Sequence, residues 1–162
     1  MDRNLLTAGL LLLSFSSVAQ RPVIQTNFTP DPAPMVYDDT FYIYTGHDED
    51  GEHNEFVMNE WRVYSSKDMV NWTDHGSPMS LDTFKWAEWG AWASQCVERD
   101  GKFFWYVCCV DKATHDMAIG VAVAESPTGP FMDAVGAPLV SGPGGYIDPT
   151  VLVEPNGDAW LY

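Results

Sequence analysis

The chain is short of positive charge, of pairable cysteines and of helical periodicity, and each shortage excludes something. Eight Lys and Arg stand against 23 Asp and Glu, a formal net charge of -15. A surface this acidic repels phosphate backbones and anionic headgroups, so no nucleic acid and no membrane surface is expected as a partner. The charges are scattered rather than blocked, which fits a solvated folded surface and not a disordered tail. Three cysteines, Cys96, Cys108 and Cys109, make no disulfide framework and no metal-ligand spacing. If Asp100-Gly101 is a two-residue turn, Arg99 pairs with Lys102 and Cys96 faces Trp105, a register that opposes no two cysteines. Buried free thiols inside strands are therefore expected, with no metal. No long segment carries a 3.6-residue period; apolar residues alternate or run in short blocks, as in strands.

What is present begins with a leader. MDRNLLTAGLLLLSFSSVAQ joins Arg3 to an apolar run from Leu5 to Val18, with small residues at Ser17 and Ala19. That is the pattern of an export signal cleaved after Ala19, leaving residues 20–162 as the mature part and a secreted or periplasmic location. No later segment is long and apolar enough to cross a bilayer. The composition, 46% hydrophobic and 14% aromatic, is that of a folded domain and supplies the Trp and Tyr that sugar-facing surfaces use.

The sequence also repeats itself. DPAPMVYDDTFYIY from Asp31, WASQCVERDGKFFWYV from Trp92 and DPTVLVEPNGDAWLY from Asp148 each read as strand, tight turn and aromatic strand. The turns fall at Asp38-Asp39, Asp100-Gly101 and Asn156-Gly157, residues that tolerate the positive φ of hairpin turns. After the first two hairpins, WRVYSSKDMVNWTDHG and IGVAVAESPTGPFMDAVG share a second plan: a strand, a polar turn, an aromatic and an Asp. Setting Tyr64 against Val123, Trp72 against Phe131 and Asp74 against Asp133 aligns them. Small antiparallel sheets recurring about every sixty residues are the signature of a β-propeller. The fold expected is all-β, with two full units and the first hairpin of a third. Since a ring needs about four to eight blades, the chain reads as the N-terminal part of a longer propeller. A two-sheet sandwich is the rival fold, which the repeat disfavours.

Hairpin starts of a propeller share one mouth, so Asp31, Trp92 and Asp148 are expected there together. Two carboxylates and an indole suit glycoside hydrolysis, which uses paired carboxylates and aromatic faces against the sugar ring. Asp-Pro also opens ordinary turns, but the middle unit has Trp92-Ala93 instead, so the corner itself does not demand Asp.

These segments, with NEWRVYSSKDMVNWTDHG between them, resemble the five-bladed propeller catalytic domain of the family 43 glycoside hydrolases. The likeness covers the mature chain and about the first half of that domain, and is nearest to arabinoxylan arabinofuranohydrolases and related β-xylosidases. It implies hydrolysis of α-L-arabinofuranosyl or β-xylosyl linkages in arabinoxylan, xylan or their oligosaccharides, with inversion. By the same resemblance Asp31 matches the general base, and Asp148 matches the aspartate that orients the general acid and tunes its pKa. The acid, a glutamate further along the family's chain, has no counterpart; Glu154 follows Asp148 too closely. The 162-residue chain alone is then expected to be inactive. Trp92 matches the aromatic that stacks on the sugar. Trp89 and His47 are further candidates for substrate contact, while Trp86 suits core packing better. No cofactor is implied, although a complete ring has room for a structural calcium in its channel. The run Asp48, Glu49, Asp50, Glu52 lacks the full spacing of a calcium loop and reads as a hydrated loop. A sugar-binding propeller without hydrolysis is the alternative. The retaining fructan-cleaving propellers do not fit, because Thr29-Pro30-Asp31-Pro32-Ala33 differs from their Asn-Asp-Pro-Asn.

Overall fold

The computed structural model describes residues 21–51 and 56–162, so the expected leader and Glu52 lie outside the described residues. The first blade comprises β1 (Ala33–Tyr37), β2 (Thr40–Asp48), β3 (Met58–Ser66) and β4 (Thr73–Asp74), with β5 (Met79–Ser80) also paired to β3. The second comprises β6 (Ser94–Arg99), β7 (Lys102–Val110), β8 (Met117–Ala124) and β9 (Met132–Asp133). A third unit is a hairpin of β10 (Val151–Val153) and β11 (Ala159–Leu161). All neighbouring strands pair antiparallel. Among the described residues, helix is confined to one 3₁₀ turn, Leu81–Thr83. This is the part of a propeller that the repeat predicts.

Turn chemistry sets the hairpins. Asp38 and Asp39 both take positive φ, as do Asp100 and Gly101, giving tight turns closed by Tyr37–Thr40 and Arg99–Lys102. Cys96 stands opposite Trp105, and all three cysteines are buried free thiols. The third turn differs from expectation. The Glu154 amide donates to the Asp158 carbonyl, and only Gly157 has positive φ, so Pro155-Asn156-Gly157 is a three-residue loop. Pro155 favours the ordinary turn that precedes such a left-handed glycine.

Two alignments move by one residue. Asp74 pairs with Tyr64, but Asp133 pairs with Ala122 rather than Val123. The connection in the second blade, which contains Gly129-Pro130, is one residue longer and absorbs the slip. Likewise Tyr37 and Arg99, which close their hairpins, lie 62 residues apart, so the strands set Asp31 level with Ala93 and leave Trp92 one place upstream.

The core lies between the first two blades. Tyr44, Trp61, Phe84, Phe103 and Trp105 are all but inaccessible. Tyr44 meets Trp105 edge-on at 4.8 Å between centroids, and Tyr37 meets Phe103 likewise at 4.9 Å. Such pairs add roughly 0.5–1.5 kcal/mol each beyond the area they bury. The Tyr44 hydroxyl donates to the Pro127 carbonyl at 2.8 Å, satisfying its one polar atom. The third hairpin is fastened by Gln95, whose side-chain oxygen accepts from the Val151 amide and the Thr150 hydroxyl.

Candidate active site

Each inner strand is entered through a short irregular segment, and two of these carry the same strained residue. Asp31 has φ 52° and Asp148 φ 54°. A left-handed non-glycine residue costs about 1–2 kcal/mol, and one before proline is further discouraged by the ring. At the first, the Gly46 amide donates to the Pro30 carbonyl, and Asp31 and Pro32 stand out of the ladder, which begins at Ala33. At the second, Thr150 and Tyr162 exchange both backbone bonds, which leaves Asp148 and the buried Pro149 just outside. The middle unit has no such residue at Trp92 or Ala93. The corner is therefore buildable without the strain, and the two aspartates share a geometry that the fold does not require.

Register places both carboxylates, with Trp92, at one end of the inner strands. Gln95 near the start of β6 holds Val151 at the start of β10, so the strands begin at a common level. Cys108 ties the two acids together. Burial pushes its thiol up to about 11, and the negative charges of Asp148 and Asp31 push the same way, while the Asp148 amide, directed at the sulfur, opposes them. Both aspartates are exposed, so each is open to a ligand from the mouth.

Trp92 is partly buried against the core, and its carbonyl accepts from Trp61 Nε1 at 2.7 Å. Gly90, at φ 79°, lies flat enough against the indole that an added Cβ would stand 3.5 Å from it. Trp89 is 47% exposed and meets Trp92 edge-on at 5.6 Å, so the two rings make one aromatic corner at the mouth. Trp86 is core: it is buried, and its Nε1 donates to Asp133 Oδ2 at 3.2 Å.

His47 sits elsewhere. Its Nδ1 lies 2.9 Å from Glu60 Oε1, which also accepts from Arg62 at 2.9 Å, on the face of the first blade opposite the one Tyr44 packs into its neighbour. Burial works to raise the Glu60 pKa, but hydrogen bonds from Arg62 and His47 prevail and hold it below the ordinary value. Asp48 and Glu49 are spent on the protein, accepting from the Val57 amide and the Asn59 side chain. Glu154 lies at the turn of the third hairpin, the far end from Asp148. Among the described residues no three His, Cys, Asp or Glu side chains converge as a metal-ligand set.

Sequence reading missed three supports of the mouth. Gln95 and Cys108 carry no motif, since a polar residue and a thiol inside strands read as ordinary. Gly46 could have been found, because a glycine within a strand marks a close approach. A Cβ there would meet Met58 Cε at 2.1 Å and Pro30 Cγ at 3.5 Å, just behind Asp31.

Comparison with known proteins identifies the family. The family model for glycosyl hydrolases family 43 matches residues 19–162. A xylosidase/arabinosidase of Bacteroides ovatus is 33% identical over 154 residues, 88% of this chain and 45% of that protein. An arabinoxylan arabinofuranohydrolase of Bacillus subtilis is 34% identical over 87% of this chain and 32% of its own length. Among solved structures, a β-xylosidase/α-arabinofuranosidase from a compost metagenome, in complex with xylotriose, superposes with a TM-score of 0.77 at 33% identity. That match covers 87% of this chain and 44% of the other. The chain thus spans under half the length of these relatives, and along nearly all of itself it belongs to glycosyl hydrolases family 43.

Proposed function

We propose that the protein carrying this chain is an inverting hydrolase of arabinofuranosyl or xylosyl linkages in arabinoxylan and xylan, and that this chain contributes one side of its active site. The observation that carries the reading is the matched left-handed conformation of Asp31 and Asp148 at a common mouth beside Trp92. The relatives named for xylose and arabinose release support the substrate class.

In this reading Asp31 accepts a proton from the attacking water as the bond to the leaving oxygen breaks. Asp148 stands beside the general acid and, by like-charge repulsion, keeps it protonated near neutral pH. Trp92 holds one face of the pentose ring, and Trp89 widens that platform. The acid is a glutamate outside these 162 residues, so the chain alone performs no turnover. The leader-like residues 1–19 support action outside the cytoplasm.

The test is hydrolysis of 4-nitrophenyl pentosides and arabinoxylan by the complete protein. Asp31→Asn is expected to lower kcat by about 10²–10⁴-fold, the usual contribution of a positioned base. Unchanged turnover in that variant would overturn the assignment. Sugar binding by a complete protein that hydrolyses nothing would favour a lectin-like role.

A further inference from the structure

Asp31 and Trp92 enter the mouth from different blades, yet both segments are fastened to one irregular point of the first. Gly46 pairs with Trp61 while Asp48 pairs with Met58, so two steps along β2 match three along β3. Such a bulge re-aims the side chains beside it. On its β2 side, the Gly46 amide donates to the Pro30 carbonyl at 3.3 Å and fixes the peptide that leads into Asp31. On its β3 side, the Met58 carbonyl accepts from the Ala91 amide at 2.9 Å, and Trp61 Nε1 donates to the Trp92 carbonyl at 2.7 Å. The two ends of the bulge therefore clasp Ala91 and Trp92.

The Met58 side chain fills the space between these attachments. It is buried, as is Ala91, and its methyl lies so close over Gly46 that a Cβ there would overlap it. The same Cβ would stand 3.4 Å from the Ala91 carbonyl oxygen and 3.5 Å from Pro30 Cγ. One methyl thus sits where the Pro30 ring, Gly46 and the Ala91 carbonyl come together, and glycine faces it because nothing larger fits. Methionine suits such a corner, being unbranched and able to fill an irregular gap. Buried there, it has no group to offer a sugar, so its influence on the mouth is one of spacing.

We propose that Met58 is a positioning residue for the hydrolysis: its methyl, wedged against Gly46, sets the separation between Asp31 and Trp92. The role rests on the hydrolase reading; the packing does not. The attacking water must lie between the base and the sugar, and a misplacement of about 1 Å can cost about 10²-fold in rate. Asp31 acts in the transition state, so displacing it lowers kcat, whereas KM follows the aromatic face and changes little.

The experiment is steady-state kinetics of the complete protein on 4-nitrophenyl pentosides. Met58→Ala is expected to lower kcat by about 10–100-fold with KM within about threefold of the parent. Met58→Leu, of similar volume, should return kcat to within about threefold. Gly46→Ala, which pushes against the methyl, should lower kcat too. Adding Met58→Ala to it should raise kcat again by about threefold or more, because the new methyl takes the vacated space; this recovery is the non-additivity expected of residues in contact. Where Met58→Ala fails to fold, Met58→Val, a smaller truncation, takes its place in both comparisons. Parental kcat in the Met58 truncation, equal changes in kcat and KM, or no recovery in the double variant would each overturn the proposal. Asp31→Asn is measured alongside. Its unimpaired turnover would sink the hydrolase reading itself, whereas an impaired Asp31→Asn beside an unimpaired Met58→Ala would sink only the role of Met58.

Discussion

Replacing Gln95 by alanine should loosen the third hairpin and, with it, Asp148. Its side-chain oxygen accepts from the Val151 amide and from the Thr150 hydroxyl at 2.8 Å, and these are the side-chain bonds that fasten β10 to the second blade. Each such bond is worth about 0.5–1.5 kcal/mol net. Together they contribute about 1–3 kcal/mol, or roughly five- to over a hundred-fold in the opening equilibrium. Pro149 and Val151 stay buried in the variant and retain their apolar contribution, so opening should be local rather than global. Amide hydrogen exchange reads this directly. The amides of Thr150, Val151 and Tyr162 should exchange faster by that factor, while those of β7 keep their protection. Gln95→Glu, which preserves the accepting oxygens, should restore slow exchange. Unchanged exchange at residues 150–162 would refute the reasoning, as would equal acceleration across both full blades.

Gly120→Ala should destabilise the second blade by about 1–3 kcal/mol in urea unfolding, the usual cost of overpacking. Its Cβ would stand 2.6 Å from Trp86 Cζ2, and a buried indole has little room to yield. Glu60 should steepen acid denaturation. Its folded pKa lies below 4.5, so its contribution is present above that value and is lost as pH falls through the folded pKa. Thermal melts of Glu60→Gln should therefore differ from the parent at pH 7 and converge with it only as pH falls through the depressed folded pKa. Burial pushes Cys96 up to about 12 and Cys108 to about 11, and raises Cys109 further, so all three stay protonated at pH 8. A thiol reagent at that pH should label none of them rapidly in the folded chain and all three in denaturant.

The blade plan was legible because strand, turn and period agreed at three places. Asp100-Gly101 fixed its hairpin to the residue, down to Cys96 opposite Trp105. The one-residue slips at Ala122 and Trp92 were not legible, because bulges and loop length shift register without changing composition. The mouth was half legible. Asp31 and Asp148 announced themselves by their prolines, but their shared left-handed backbone is a three-dimensional fact. His47 was a candidate for substrate contact because it comes just after the aromatic strand of the first hairpin. The alternation of strand side chains turns it to the opposite face, where Glu60 takes it.

The central claim is that Asp31 activates the attacking water, and nucleophile rescue addresses it most directly. In the complete protein, Asp31→Ala should turn over 4-nitrophenyl pentosides slowly. Sodium azide, which needs no base, should restore the rate and give a pentosyl azide of inverted anomeric configuration by NMR. A variant that azide leaves unchanged, or a product of retained configuration, would contradict the account.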